Sequence, residues 1–131
     1  MAYLWVAIGG ALGSMARYGI VGLVGARAGG GFPYGTIVVN ITGSMLIGFV
    51  ATLSGPDSRF FVPMYGRLFL MTGICGGYTT FSAFSLETAN LMRGGNWGAA
   101  LANVGFSVIL CLVAIWVGHF GALALDRLRG G

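Results

Sequence analysis

Polar side chains form stripes through stretches of this chain that are otherwise apolar. Thr36, Asn40 and Ser44, followed by Gly48, recur at every fourth position, and so do Asn103, Ser107 and Cys111. In a helix such residues share one face. Between the stripes lies Gly73-Ile74-Cys75-Gly76-Gly77-Tyr78-Thr79-Thr80-Phe81-Ser82-Ala83-Phe84-Ser85, with Glu87 and Thr88 just beyond. Hydroxyls and amides donate hydrogen bonds, and a phenyl ring has a positive edge and a negative face. Such a lining, nearly free of negative charge, suits a small polar ion crossing apolar surroundings. Phe81 and Phe84 edge-on would favour an anion and face-on a cation, and the sequence leaves that orientation open. Arg17, inside an apolar run, adds positive potential and favours the anion. Its alternative is to snorkel to an interface.

The same segment carries a second chemistry. Adjacent glycines and β-branched threonines disfavour a continuous helix. Unwound carbonyls and helix C-terminal ends coordinate small cations such as Na⁺. Gly76-Gly77-Tyr78-Thr79 is therefore a candidate main-chain cation site, although the two glycines also suit close helix packing. Plainer uses exist for the polar stripes too. Buried hydroxyls bond back to their own helix, and asparagines join helices. Ser44, Ser85 and Thr88 are read that way, whereas Asn40 and Ser107 are left open between the two readings. Cys75 and Cys111 read as small packing residues rather than a disulfide or metal pair.

The elements that must position these residues are membrane spans. Of 131 residues, 56% are hydrophobic and 8% charged; soluble domains average roughly 25% charged. Mean hydropathy is +0.87. The expectation is an all-α integral membrane protein forming a single domain over residues 1–131, with no room for a soluble enzyme module. The net charge of +4 is spread along the chain and shows no nucleic-acid footprint. Spans are expected at about 3–24, 34–53, 64–92 and 97–125, the third broken near 76–79. Each reaches the roughly 20 residues that cross hydrocarbon as a helix. Gly25 to Pro33, Ser54-Gly55-Pro56-Asp57 and Arg93-Gly94-Gly95-Asn96 supply the turns. Tyr3, Trp5, Tyr34, Tyr65 and Trp97 near the span ends match an interfacial belt. No basic residue precedes the first apolar run and Arg17 interrupts it, so that segment reads as retained. Broken backbone at membrane depth is tolerated only inside protein or along a water-filled path.

Four spans put both termini on one side, with Arg59, Arg67, Arg127 and Arg129; Arg27 and Arg93 lie opposite. That bias is too weak to enforce one orientation, so oppositely inserted copies could pair. Gly9 with Gly13, and Gly118 with Ala122, have the spacing that lets helices approach closely.

Asn40 with Gly43, followed by Thr72-Gly73-x-Cys75-Gly76-Gly77-Tyr78-Thr79-Thr80-Phe81-Ser82-x-Phe84-Ser85-x-Glu87, resembles the Fluc/CrcB family of fluoride channels. The likeness covers essentially the whole chain, including Arg17 and Gly35-Thr36. It implies an antiparallel, dual-topology homodimer with two fluoride pores in the cell inner (plasma) membrane, crossing the bilayer several times. It implies a structural Na⁺ at the dimer centre, held by main-chain carbonyls at the positions of Gly76 and Thr79. Phe81 and Phe84 match the pore phenylalanines, Asn40 the pore asparagine and Ser107 the pore serine. Arg17 matches the vestibule arginine, and Thr36, Ser82 and Glu87 match the polar track. Three positions depart from the pattern: Ala83 stands where many members have threonine, Asn103 where some have tyrosine, and Cys111 where others have serine. The expected function is passive, fluoride-selective export that protects against fluoride toxicity. The competing class is a small dual-topology proton-coupled exporter, for which Glu87 is the acidic residue inside a span. A helix-packing accessory protein would leave the stripes and the break unexplained.

Overall fold

The computed structural model describes residues 1–56, 58, 60 and 62–129, and among these the protein is all-helical. Helix α1 spans Ala2–Ala28 and α2 spans Tyr34–Leu53. A short helix α3, Met64–Arg67, runs into a π-helical segment, Leu68–Cys75, and then α4, Gly76–Tyr78. After two non-helical residues come α5, Phe81–Arg93, and α6, Trp97–Leu128. Helices α1, α2 and α6 are long and apolar enough to cross a membrane. The stretch expected as a broken span at 64–92 is divided among α3, the π-helical segment, α4 and α5, so it contributes no uninterrupted helix of that length.

Local sequence explains most boundaries. Gly29, at φ 79°, ends α1 and gives its N–H to Gly25 O; that φ suits glycine, which lacks Cβ. Pro33 immediately precedes α2, where a missing N–H costs nothing. Asn96 caps α6, its side chain accepting from Ala99 N at 3.2 Å, which satisfies one of the orphan amides at a helix start. Helix α2 coincides with the expected 34–53, while α1 and α6 run a few residues past their expected ends. The sequence reading did not anticipate the π-helical turns. Asp57, assigned to a turn, and Arg59, counted in the charge balance, lie outside the described residues.

The interruption falls at Thr79 and Thr80, which are extended (φ −85°, ψ 156° and φ −151°, ψ 111°). Gly76 and Gly77, expected within the break, are helical. Helix propensity would penalise them, but packing decides. A Cβ on Gly77 would sit 2.5 Å from Gly10 O, and one on Gly9 would sit 2.5 Å from Phe69 O. These helices therefore touch backbone to backbone, and the Gly9/Gly13 pair is used inside the chain. Gly118 does the same against Met45 O, and Ala122 is fully buried, so that second small-residue pair helps join α6 to α2.

This packing is testable. Gly118→Val would drive a side chain into the Met45 backbone, so it should lower stability by about 1–3 kcal/mol or more. Gly22→Ala, which adds a methyl where nothing lies within 4 Å, should leave stability unchanged or slightly raised. Thermal unfolding in detergent, with size-exclusion profiles, reads both.

Candidate functional site

Ending a helix at Tyr78 leaves carbonyls without their usual donors. Cys75 O keeps its helical donor, Thr79 N, at 3.0 Å and also accepts from Thr79 Oγ1 at 2.9 Å. Gly77 O accepts from Arg17 Nε at 3.1 Å and Ser14 Oγ at 3.4 Å. A cation at a helix C-terminus also complements its dipole, so Arg17 is neither free in the bilayer nor limited to snorkelling. Thr80 N, which a continuing helix would give to Gly76 O, goes instead to Asn40 Oδ1 at 2.7 Å.

Asn40 completes this clamp by donating from Nδ2 to Thr80 O at 3.1 Å. The amide thus pairs with both sides of one residue's backbone, as a neighbouring strand would. Thr80 then caps α5, its hydroxyl accepting from Ala83 N at 3.2 Å. Gly43, one turn after Asn40, is bare for a reason: a Cβ there would collide with the Thr79 methyl and meet Tyr78 Cδ1 at 3.0 Å. The Tyr78 hydroxyl is itself tied to Thr42 Oγ1 at 2.8 Å.

The expected site residues gather around two cavities. The first, about 410 Å³, is lined by Asn40, Phe81, Phe84, Ser107, Gly76 and Thr79. The second, about 700 Å³, is lined by Arg17, Thr36 and Glu87, together with Ser14 and Ala83. Thr80 lines both, so the break forms the wall between them. Ser82 lines neither; its hydroxyl lies 3.3 Å from Thr80 Oγ1. Cys111, expected to be a packing residue, lines the first cavity, and so does Ser44. The reading by residue type passed over Thr80 and Ser14 as site residues. Their signal was position: Thr80 lies in the break, and Ser14 sits one helical turn from Arg17.

Hydrogen bonds define what each group offers. Asn40 spends one of its two N–H donors on Thr80 O and keeps one. Thr36 gives its hydroxyl hydrogen to Glu87 Oε1 at 2.7 Å. Glu87 Oε2 is buried with no hydrogen-bond partner. Ser107 donates to Asn103 Oδ1 at 3.4 Å. Ser85 and Thr88 bond back to Phe81 O and Phe84 O, at 2.9 and 2.7 Å, as their plainer reading expects. The Phe81 and Phe84 rings touch at 5.2 Å between centroids, tilted by 48°. Phe84 is 9% exposed and Phe81 78%. The first cavity is therefore open where Phe81 and Gly76 reach the surface of the single chain, with Ser82 and Ser85 exposed beside them.

Known proteins align with this chain along its length. The family model described as CrcB-like protein, Camphor Resistance (CrcB), matches residues 4–119. A protein of Opitutus terrae named fluoride-specific ion channel FluC is 55% identical over 128 residues, covering 98% of this chain and 97% of that one. Proteins with the same name from Methylocella silvestris and Rhodospirillum rubrum are 50% and 53% identical over 130 and 127 residues. They cover 99% and 97% of this chain, and 99% and 98% of their own lengths.

The Asn40 clamp predicts a local effect. Asn40→Leu strands the amide and carbonyl of Thr80, which should cost about 1–3 kcal/mol. Hydrogen exchange of a peptide covering 79–82 should accelerate while α2 and α6 keep their protection. Unchanged exchange would show that the clamp does not hold the break.

Proposed function

This chain belongs to the CrcB-like family, and from that premise we propose that it is a fluoride-selective channel exporting cytoplasmic fluoride passively. It is a multi-pass protein of the cell membrane, and it acts on the ion without chemical conversion. The observation that carries the reading is the first cavity, where Asn40, Phe81, Phe84 and Ser107 meet beside the broken helix. Neutral hydrogen fluoride crosses lipid, dissociates in a less acidic cytoplasm and leaves the anion trapped. An anion exit driven by the inside-negative potential relieves that load.

Fluoride holds its water tightly, so a narrow lining must replace hydration with donors. Asn40 offers its remaining N–H. Phe81 and Phe84 supply positive ring edges. Arg17 places positive potential in the second cavity, and Thr36 with Glu87 adds polar lining to it. Glu87, with one oxygen unpartnered, is also the feature that would serve a proton-coupled exporter.

The working unit we propose is an antiparallel homodimer of four-span chains, in which α3 through α5 together form the third span. Surface hydroxyls at Ser82 and Ser85 and the broken backbone beside Phe81 are costly against lipid. A second copy would cover them and close the open side of the cavity, and the weak arginine bias permits opposed insertion. A Na⁺ ion fits the break: Gly76 O has lost its helical donor to Asn40, and carbonyl oxygens suit small hard cations. Gly76 and Thr79 would hold the ion through their carbonyls. When bound it supplies positive charge that joins the carbonyls of the two copies.

Reconstituted in liposomes, the protein should release fluoride far faster than chloride, at fixed pH and without a proton gradient. Fluoride release no faster than from empty liposomes would reject the channel. A requirement for a proton gradient, lost in Glu87→Gln, would establish the exporter instead. Phe81→Ile and Phe84→Ile should each slow fluoride release by at least tenfold, on the scale of one lost ion contact, with the dimer intact.

The cation is tested separately. Exchanging Na⁺ for N-methylglucamine should weaken the dimer or abolish flux. Identical dimer stability and flux in both media would remove the ion from the assembly.

A further inference from the structure

Asn103 is fully buried and lines neither cavity, yet it reaches the first one through Ser107. The direction of every hydrogen in this network follows from one group that can only accept, the main-chain carbonyl of Phe84. Thr88 Oγ1 lies 2.7 Å from Phe84 O and must donate to it. Having spent its hydrogen, Thr88 Oγ1 must accept from Asn103 Nδ2 at 2.9 Å. That sets the amide with Oδ1 toward Ser107, whose hydroxyl gives up its hydrogen at 3.4 Å. A relaxed hydroxyl bond is near 2.7–2.8 Å, so this last link is long and weak. Ser107 therefore faces the cavity with lone pairs, its hydrogen lent to a competitor.

We propose that Asn103 is a positioning residue that keeps fluoride mobile by competing with it for the Ser107 hydrogen. This rests on the channel reading above. An entering anion takes the Ser107 hydrogen only by leaving Asn103 Oδ1 unpaired in a fully buried site. The competition weakens the Ser107–anion bond, and when the anion leaves, the hydrogen returns to Asn103. Conduction needs binding that is good enough to enter and weak enough to leave. The buried amide supplies the second half of that condition.

The test compares Asn103→Leu and Thr88→Val, alone and in a Ser107→Ala background. Leucine removes the competing oxygen; valine removes the hydroxyl that orients the amide and leaves the cavity lining untouched. Fluoride affinity is read from fluoride-dependent thermal stabilisation, and transport from maximal liposome efflux. Both variants should bind fluoride roughly twofold to fivefold more tightly, the worth of one weak neutral hydrogen bond, and should pass it more slowly. Neither should change affinity when Ser107 is alanine. A purely structural role predicts weaker binding or none, and that result overturns the proposal, as does equal tightening in the Ser107→Ala background. If Asn103→Leu does not fold, Thr88→Val alone decides. A wild-type protein that neither binds nor passes fluoride rejects the channel reading. A conducting wild type whose variants show unchanged affinity rejects only this inference.

Discussion

The pairing of the Asn40 amide with the backbone of Thr80 is the interaction on which the rest depends. A chain that stops being helical inside an apolar layer exposes donors and acceptors that cost several kcal/mol each if unpaired. Asn40 answers two of them at once. By taking Thr80 N it also removes the donor that Gly76 O would otherwise receive. One side chain thus stabilises the break and deprives the carbonyl beside it of its helical donor. Arg17 and Ser14 deal with Gly77 O from the other side, so α1 and α2 grip the break between them.

That grip requires backbones to approach within a few ångströms, which explains where the glycines sit. Gly9 and Gly13 admit the π-helical segment and α4, Gly43 admits Thr79 and Tyr78, and Gly48 and Gly118 seat α6 on α2. A side chain at any of these positions would push a helix outward and open the clamp. The packing inside one chain and the geometry of the first cavity are therefore one constraint. The small-residue pairs that suggested assembly between copies serve this internal purpose. The polar, aromatic strip around Phe81 is instead what stays exposed on the single chain.

Much of the site was legible as pattern. A spacing of four put Thr36 and Asn40 on one helix face, and α2 formed where expected because nothing in it conflicts with a helix. The segment of glycines and threonines was legible as a discontinuity. Its position was not, because propensity counts each glycine as a weak helix former while contact with Gly10 holds Gly77 in the helix. Asn40 and Ser107 could not be sorted between helix glue and ion lining from residue type. In the structure Asn40 clamps Thr80 and also lines the first cavity, since an amide has enough donors and acceptors to do both. Ser107 has one hydrogen, and Asn103 holds it.

The membrane class, the helical periodicity, the polar residues within apolar stretches and a weak point in the third such stretch were all readable from the chain. These follow from composition and local spacing, which act over a few residues. Only the tertiary structure decided that the break falls at Thr79 and Thr80, that Arg17 caps Gly77, and that the polar residues divide between two cavities with Thr80 as the wall. Those outcomes depend on hydrogen bonds between residues 40 to 63 positions apart. No local rule reports which distant donor reaches a given carbonyl first.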